Sequence, residues 1–103
     1  MQQSFIHHVY FWLKNPANQE DRQMLLNGIK TLIEIPSIQS YHLGISADTD
    51  RGVIDNTYVF SWLTIFKDKT QEAIYQQDPI HLAFVQNCSH LWSKVIVYDS
   101  IPV

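Results

Sequence analysis

The sequence predicts an α+β domain with a ferredoxin-like βαββαβ order. Three observations carry that prediction. Four stretches are rich in β-branched and aromatic residues, the stretches between them repeat apolar residues at helical spacing, and the two kinds alternate in the order β-α-β-β-α-β. The expected architecture is a four-stranded antiparallel sheet with the helices on one face, filling residues 1–103 as a single domain.

Each element has its own signal. Residues 5–13, Phe-Ile-His-His-Val-Tyr-Phe-Trp-Leu, read as a strand that Asn15-Pro16 stops. One face holds His7, Val9, Phe11 and Leu13; the other holds Ile6, His8, Tyr10 and Trp12. Residues 18–33 read as a helix. Asn18 can cap it, Glu20 and Asp21 suit the positive end of its dipole, and Met24, Leu25, Ile29, Leu32 and Ile33 form its apolar stripe. Ile35-Pro36 ends it, because a residue before proline avoids helical geometry.

The second strand is expected over 37–45, a polar loop over 46–55 and the third strand over 56–66. In that third strand Tyr58, Phe60, Trp62 and Phe66 should share one face, with Val59, Leu63 and Ile65 on the other. Asp68 and Gln71 resemble a capping pair, so a short helix follows to about Gln76. Asp78-Pro79 then starts a second helical piece reaching about Trp92, and 94–98 form the last strand.

Strands one, three and four carry large apolar groups on both faces. Helices cover one face of such a sheet, and the other would usually alternate with polar residues. Here it does not, so the helix-free face needs a cover, and a second copy of the sheet is the economical one. The expected partner is therefore self, as a homodimer through the helix-free sheet face.

Composition removes several classes of function. The formal charge is −3 and there is no Lys/Arg cluster, which excludes nucleic acid as a partner. No apolar run approaches a membrane span, so no membrane partner is expected. Met1-Gln2-Gln3-Ser4 lacks a signal-peptide pattern, and the one cysteine, Cys88, suits a reducing compartment; the expected location is cytoplasmic. No phosphate loop, zinc-ligand spacing or serine nucleophile motif is present. No cofactor and no metal are expected.

The informative segment is Tyr75-Gln76-Gln77-Asp78-Pro79-Ile80-His81. His81 falls on one helical stripe with Phe84, Val85, Cys88 and Trp92, so its imidazole should point toward the sheet. There it is either a core residue holding one hydrogen bond or a proton acceptor in a pocket between helix and sheet. Tyr75 can reach it only if the two helical pieces kink toward each other. His7 can line the same space, with Phe84 and Cys88 as further ligand contacts.

The first strand with Lys14, the Asp78-Pro79-Ile80-His81 element, and the ending from Leu91 to Asp99 resemble the stress-responsive A/B barrel domain (Dabb) family. The resemblance covers nearly the whole chain. It implies a ferredoxin-like monomer pairing into a dimeric α/β barrel, in a family mostly without assigned activity. One branch, the polyketide cyclases of the olivetolic acid cyclase type, closes a linear polyketide by aldol condensation without metal or cofactor. By that resemblance His81 would be the general base and Tyr75 its neighbour. His7 would match the first-strand histidine, and a further third-strand histidine falls on Phe60. Two functions follow: an uncharacterised barrel protein binding a small hydrophobic or aromatic ligand between sheet and helices, or a cofactor-independent enzyme. The enzyme would be a polyketide-cyclase-like aldol catalyst or a quinol-type monooxygenase, with His81 and Tyr75 as its catalytic pair.

Overall fold

Alternation along the first strand organises the molecule. In the computed structural model, which describes residues 4–103, β1 spans Phe5–Leu13. The reading of Met1 to Gln3 lies outside the described residues. Phe5, His7, Val9, Phe11 and Leu13 are buried, while Ile6, His8, Tyr10 and Trp12 are half-buried on the other face. β2 is Ser40–Gly44, β3 is Phe60–Phe66 and β4 is Trp92–Ser100. All pairings are antiparallel and the strand order is β2-β3-β1-β4, so the two-faced strands β1 and β3 lie at the centre.

Three helices among the described residues cover the face that carries Val9 and Phe11: α1 (Gln19–Thr31), α2 (Lys69–Gln77) and α3 (Pro79–Cys88). Each begins with a side-chain cap that occupies a free backbone N–H. Asn18 accepts from the Asp21 N–H at 3.0 Å, Asp68 from Gln71 at 2.9 Å and Asp78 from Ile80 at 2.8 Å. Leu25 and Ile29 of α1, Tyr75 of α2 and Phe84 and Cys88 of α3 join Phe60, Trp62 and Phe66 in one core. Met24 is half exposed, so the apolar stripe of α1 is narrower than the sequence suggests. A 3₁₀ turn over Leu32–Glu34 finishes that segment before Pro36.

Several boundaries depart from the sequence reading. The second strand is shorter, because the chain turns through Pro36 and Ser37 and joins β3 only at Gln39, whose N–H meets the Ile65 carbonyl. The third strand starts at Phe60, not Asn56. The Asp55 carboxylate accepts from both the N–H and the hydroxyl of Thr57, and this side-chain turn holds the chain out of the strand. As a result Tyr58 does not share a face with Phe60: it packs on the helix-free side, 5.0 Å from Tyr10 and 6.4 Å from Trp12 between ring centroids.

The last helix stops at Cys88, four residues before Trp92. Ser89–Leu91 form a 3₁₀ turn and Trp92 begins β4. A register shift between Trp12 and Leu13 pairs Leu13 with Trp92 but Trp12 with Lys94, leaving Ser93 as the extra residue of a bulge. The bulge turns Trp92 under the helices, beside Phe11 and Phe84, while Lys94 reaches the opposite face with its ammonium 4.1 Å above the Trp12 ring. No helix among the described residues is long and apolar enough to cross a membrane.

Among the described residues no element covers the second face of the sheet. A concavity of about 260 Å³ lies on it, lined by Tyr10, Trp12, Asp55, Tyr58, Ile96 and Tyr98.

Candidate functional site

The site is built by one residue that ends a helix and starts another. Asp78 closes α2, its N–H bonding the Tyr75 carbonyl at 3.2 Å, and its carboxylate caps α3. Pro79 forbids continuing α2, since it has no N–H to give. The chain therefore changes direction between Tyr75 and His81 and brings their rings to 4.7 Å, inclined at 61°.

Behind them is a cavity of about 150 Å³ between sheet and helices. Val9, Phe11, Leu32, Trp62, Val95 and Val97 supply apolar wall, and His7, Tyr75 and His81 supply the polar points. Phe84 and Trp92 close it on the α3 side.

Each polar group has a distinct state. Tyr75 is fully buried, and its hydroxyl oxygen accepts from the Trp62 indole N–H at 3.0 Å. Burial pushes its pKa up to about 12, so it keeps its proton and can still donate it. His7 Nδ1 lies 2.6 Å from the Asp99 carboxylate and 3.7 Å from Glu72. An ionised carboxylate only accepts, so Nδ1 carries the proton, and in the neutral ring Nε2 is left as an acceptor. Glu72 in turn accepts from the Gln76 amide at 2.8 Å.

His81 differs from both. Its Nδ1 is buried and has no hydrogen-bond partner. Burial, reinforced by His7, lowers its pKa below the ordinary imidazole value; Glu72, Asp78 and the Gln76 backbone oppose this without cancelling it. A neutral imidazole and a phenol that keeps its proton thus both line one apolar space. That pair can take a proton from one atom of a guest and hydrogen-bond another.

This chain belongs to the stress responsive A/B barrel domain family. The match spans residues 5–102. Among solved structures, a Dabb family protein with a ferredoxin-like fold from Mesorhizobium loti is 25% identical, with 99% of each chain covered and a TM-score of 0.79. A dimeric ferredoxin-like protein of unknown function from Thermobifida fusca is 16% identical, covering 99% of this chain and 93% of its own, with a TM-score of 0.78. A hydroxynitrile lyase from Passiflora edulis is 17% identical, covering 100% and 96%, with a TM-score of 0.79. Among curated proteins no match is found. The ferredoxin-like fold read from the order of elements is the fold that the Mesorhizobium loti and Thermobifida fusca structures are described as having.

Within this family framework the sequence candidates separate. His7, Tyr75, His81 and Phe84 converge on the cavity. Cys88 is not among its lining residues. It is buried between α3 and α1, where a Cβ added to Gly28 would clash with its sulfur, and burial pushes its thiol pKa up. A raised thiol is a poor nucleophile, so packing is what this residue does. Phe60 is buried under the Arg22 guanidinium, 5.1 Å from the ring, and is not part of the cavity wall. Among the described residues no group of three or more His, Cys, Asp or Glu could hold a metal ion.

Sequence reasoning missed Asp99, Glu72 and Trp62 as partners of the site. Asp99 alternates with Val95 and Val97, and that parity places it on the helix-covered face. What the sequence lacks is the register that sets it opposite His7.

Proposed function

We propose that this protein binds one compact, largely apolar molecule in the cavity between sheet and helices, with a hydroxyl or carbonyl group held between Tyr75 and His81. The observation that carries the reading is the unpartnered His81 Nδ1 beside a phenol with an unspent proton. Buried polar atoms without partners are costly, and a guest supplying a donor would remove that cost. The cavity size favours a single ring: apolar cavities of about 150 Å³ accept benzene. Phe84 and Cys88 contribute differently on this reading, Phe84 as wall and Cys88 as packing behind α3.

A second reading, a cofactor-independent enzyme, is favoured by the depressed His81 pKa. His81 is then a neutral general base at neutral pH, and the Tyr75 O–H stabilises charge developing on a carbonyl oxygen. A polyketide-cyclase-like aldol closure needs only these proton movements. That a lyase shares this fold supports chemistry in such a scaffold.

The same reading has the protein working as a homodimer through its helix-free face. Related structures from Thermobifida fusca and Bacteroides fragilis are described as dimeric, and among the described residues no element covers that face. A single free thiol, Cys88, fits a cytoplasmic setting.

Titration with phenol and with benzaldehyde, followed by ring-proton NMR of His81, tests the site. Saturable binding that His81→Ala weakens by about five- to tenfold is the expected result, the worth of one hydrogen bond. No binding of either probe at millimolar concentration, or equal binding by His81→Ala, would sink it.

A further inference from the structure

The helix-free face carries a row of side chains that an interface between copies would normally avoid. His8 pairs with Tyr98 on one side and Leu63 on the other, and Leu63 pairs with His42. Two imidazoles therefore flank Leu63 at the middle of a surface rich in apolar and aromatic side chains. His42 lies over Gly44 on that face: a Cβ added to Gly44 would meet its ring at 2.9 Å.

His8 is held firmly. Its Nε2 is 2.7 Å from the Ser61 hydroxyl, its ring stacks on Tyr10 with centroids 4.4 Å apart, and its Nδ1 is 3.4 Å from the Tyr10 hydroxyl. Ser61 and the phenols can serve a neutral ring, but none carries a charge to balance an imidazolium. The charged and titratable groups around it are few. Tyr10 is on β1, Tyr98 on β4 and His42 on β2, while β3 offers only Ser61 and Leu63. Asp55 and Lys94 lie at the Trp12 end, engaged with Thr57 and the Trp12 ring. Asp99 and Glu72 are with His7, on the opposite side of the sheet. Among the described residues no carboxylate contacts His8.

We propose that self-association through this face is gated by protonation of His8: neutral, it allows two copies to pair; charged, it separates them. The inference rests on the reading above that a second copy covers the helix-free face, and it adds the regulation of that contact. Already in one protomer, burial, with His42 and His7, lowers the His8 pKa. A covering copy removes the remaining water and, by two-fold symmetry, brings a second His8 and His42 to the same interface. The dimer then holds fewer protons than two separate copies, so falling pH favours separation.

Sedimentation velocity tests this, with dimer expected near about pH 8 and monomer near about pH 5, the span over which imidazoles change charge. With one His8 per copy, the dissociation constant should weaken by up to about a hundredfold per pH unit below the His8 pKa. His8→Gln keeps a partner for Ser61 but cannot charge, and should stay dimeric in acid. His90→Gln, at an exposed position, should dissociate like the wild type. Circular dichroism should show the fold intact throughout. In the wild-type chain the His8 ring-proton titration midpoint should fall as protein concentration rises.

Dimer at both pH values overturns the gate and leaves the dimer standing. Monomer at both overturns the dimer and the gate with it. Acid dissociation unchanged in His8→Gln, dissociation coincident with loss of fold, or a concentration-independent His8 midpoint each overturn the gate.

Discussion

At the scale of single residues, Tyr75 is committed twice, as wall of the cavity and as the acceptor for Trp62. Tyr75→Phe keeps the wall but removes the acceptor and the hydroxyl proton, with little change of shape. It leaves the buried Trp62 N–H without a partner, and should cost about 1–3 kcal/mol in chemical denaturation while weakening phenol or benzaldehyde binding. His81 has a signed pH dependence. Its pKa is lowered on folding, so its contribution to stability is present above the ordinary imidazole value and is lost as pH falls through that value toward the depressed one. Ligand affinity should follow the same direction, constant at neutral pH and falling in acid, with His81→Gln flattening the profile. The sequence made His81 and Tyr75 legible because Asp-Pro punctuation and a helical stripe are local signals. Asp99, 92 positions from His7, was not legible, because only strand register brings them together.

Elements succeed or fail by their ends. Asp78 terminates α2 and caps α3, so Asp78→Ala should cost about 1 kcal/mol and also blur the angle that sets Tyr75 against His81. Thermal melts would read the first effect and the His81 ring-proton shift the second. Gly28 is where α1 approaches α3. Gly28→Ala should destabilise by about 1–3 kcal/mol through contact with the Cys88 sulfur, and adding Cys88→Ala should recover part of that loss. The interiors of β1, α1, α2 and β3 follow from periodicity. The start of β3 and the end of α3 do not, since both depend on devices without period: the Asp55–Thr57 turn that moves Tyr58 across the sheet, and the Ser93 bulge that turns Trp92 beneath the helices. A tryptophan at helical spacing from Cys88 reads as helix until its strand partner, Leu13, is known.

For the whole molecule, the uncovered sheet face is what composition announced through strands apolar on both sides. Leu63→Arg places a charge at its centre without touching the helix-covered core, so it should yield a folded monomer by sedimentation, with the cavity still able to take a probe. β4 ties the two sides together. Its alternate residues Val95 and Val97 wall the cavity, with Asp99 holding His7, while Lys94, Ile96 and Tyr98 belong to the open face. A strand at the sheet edge with one row of side chains in each compartment cannot be displaced on one side alone. Whatever factor a guest changes in the affinity between copies, pairing must change in the affinity for the guest. Binding curves measured at different protein concentrations would then fail to superimpose, and the gap between them would measure how far one strand carries a signal.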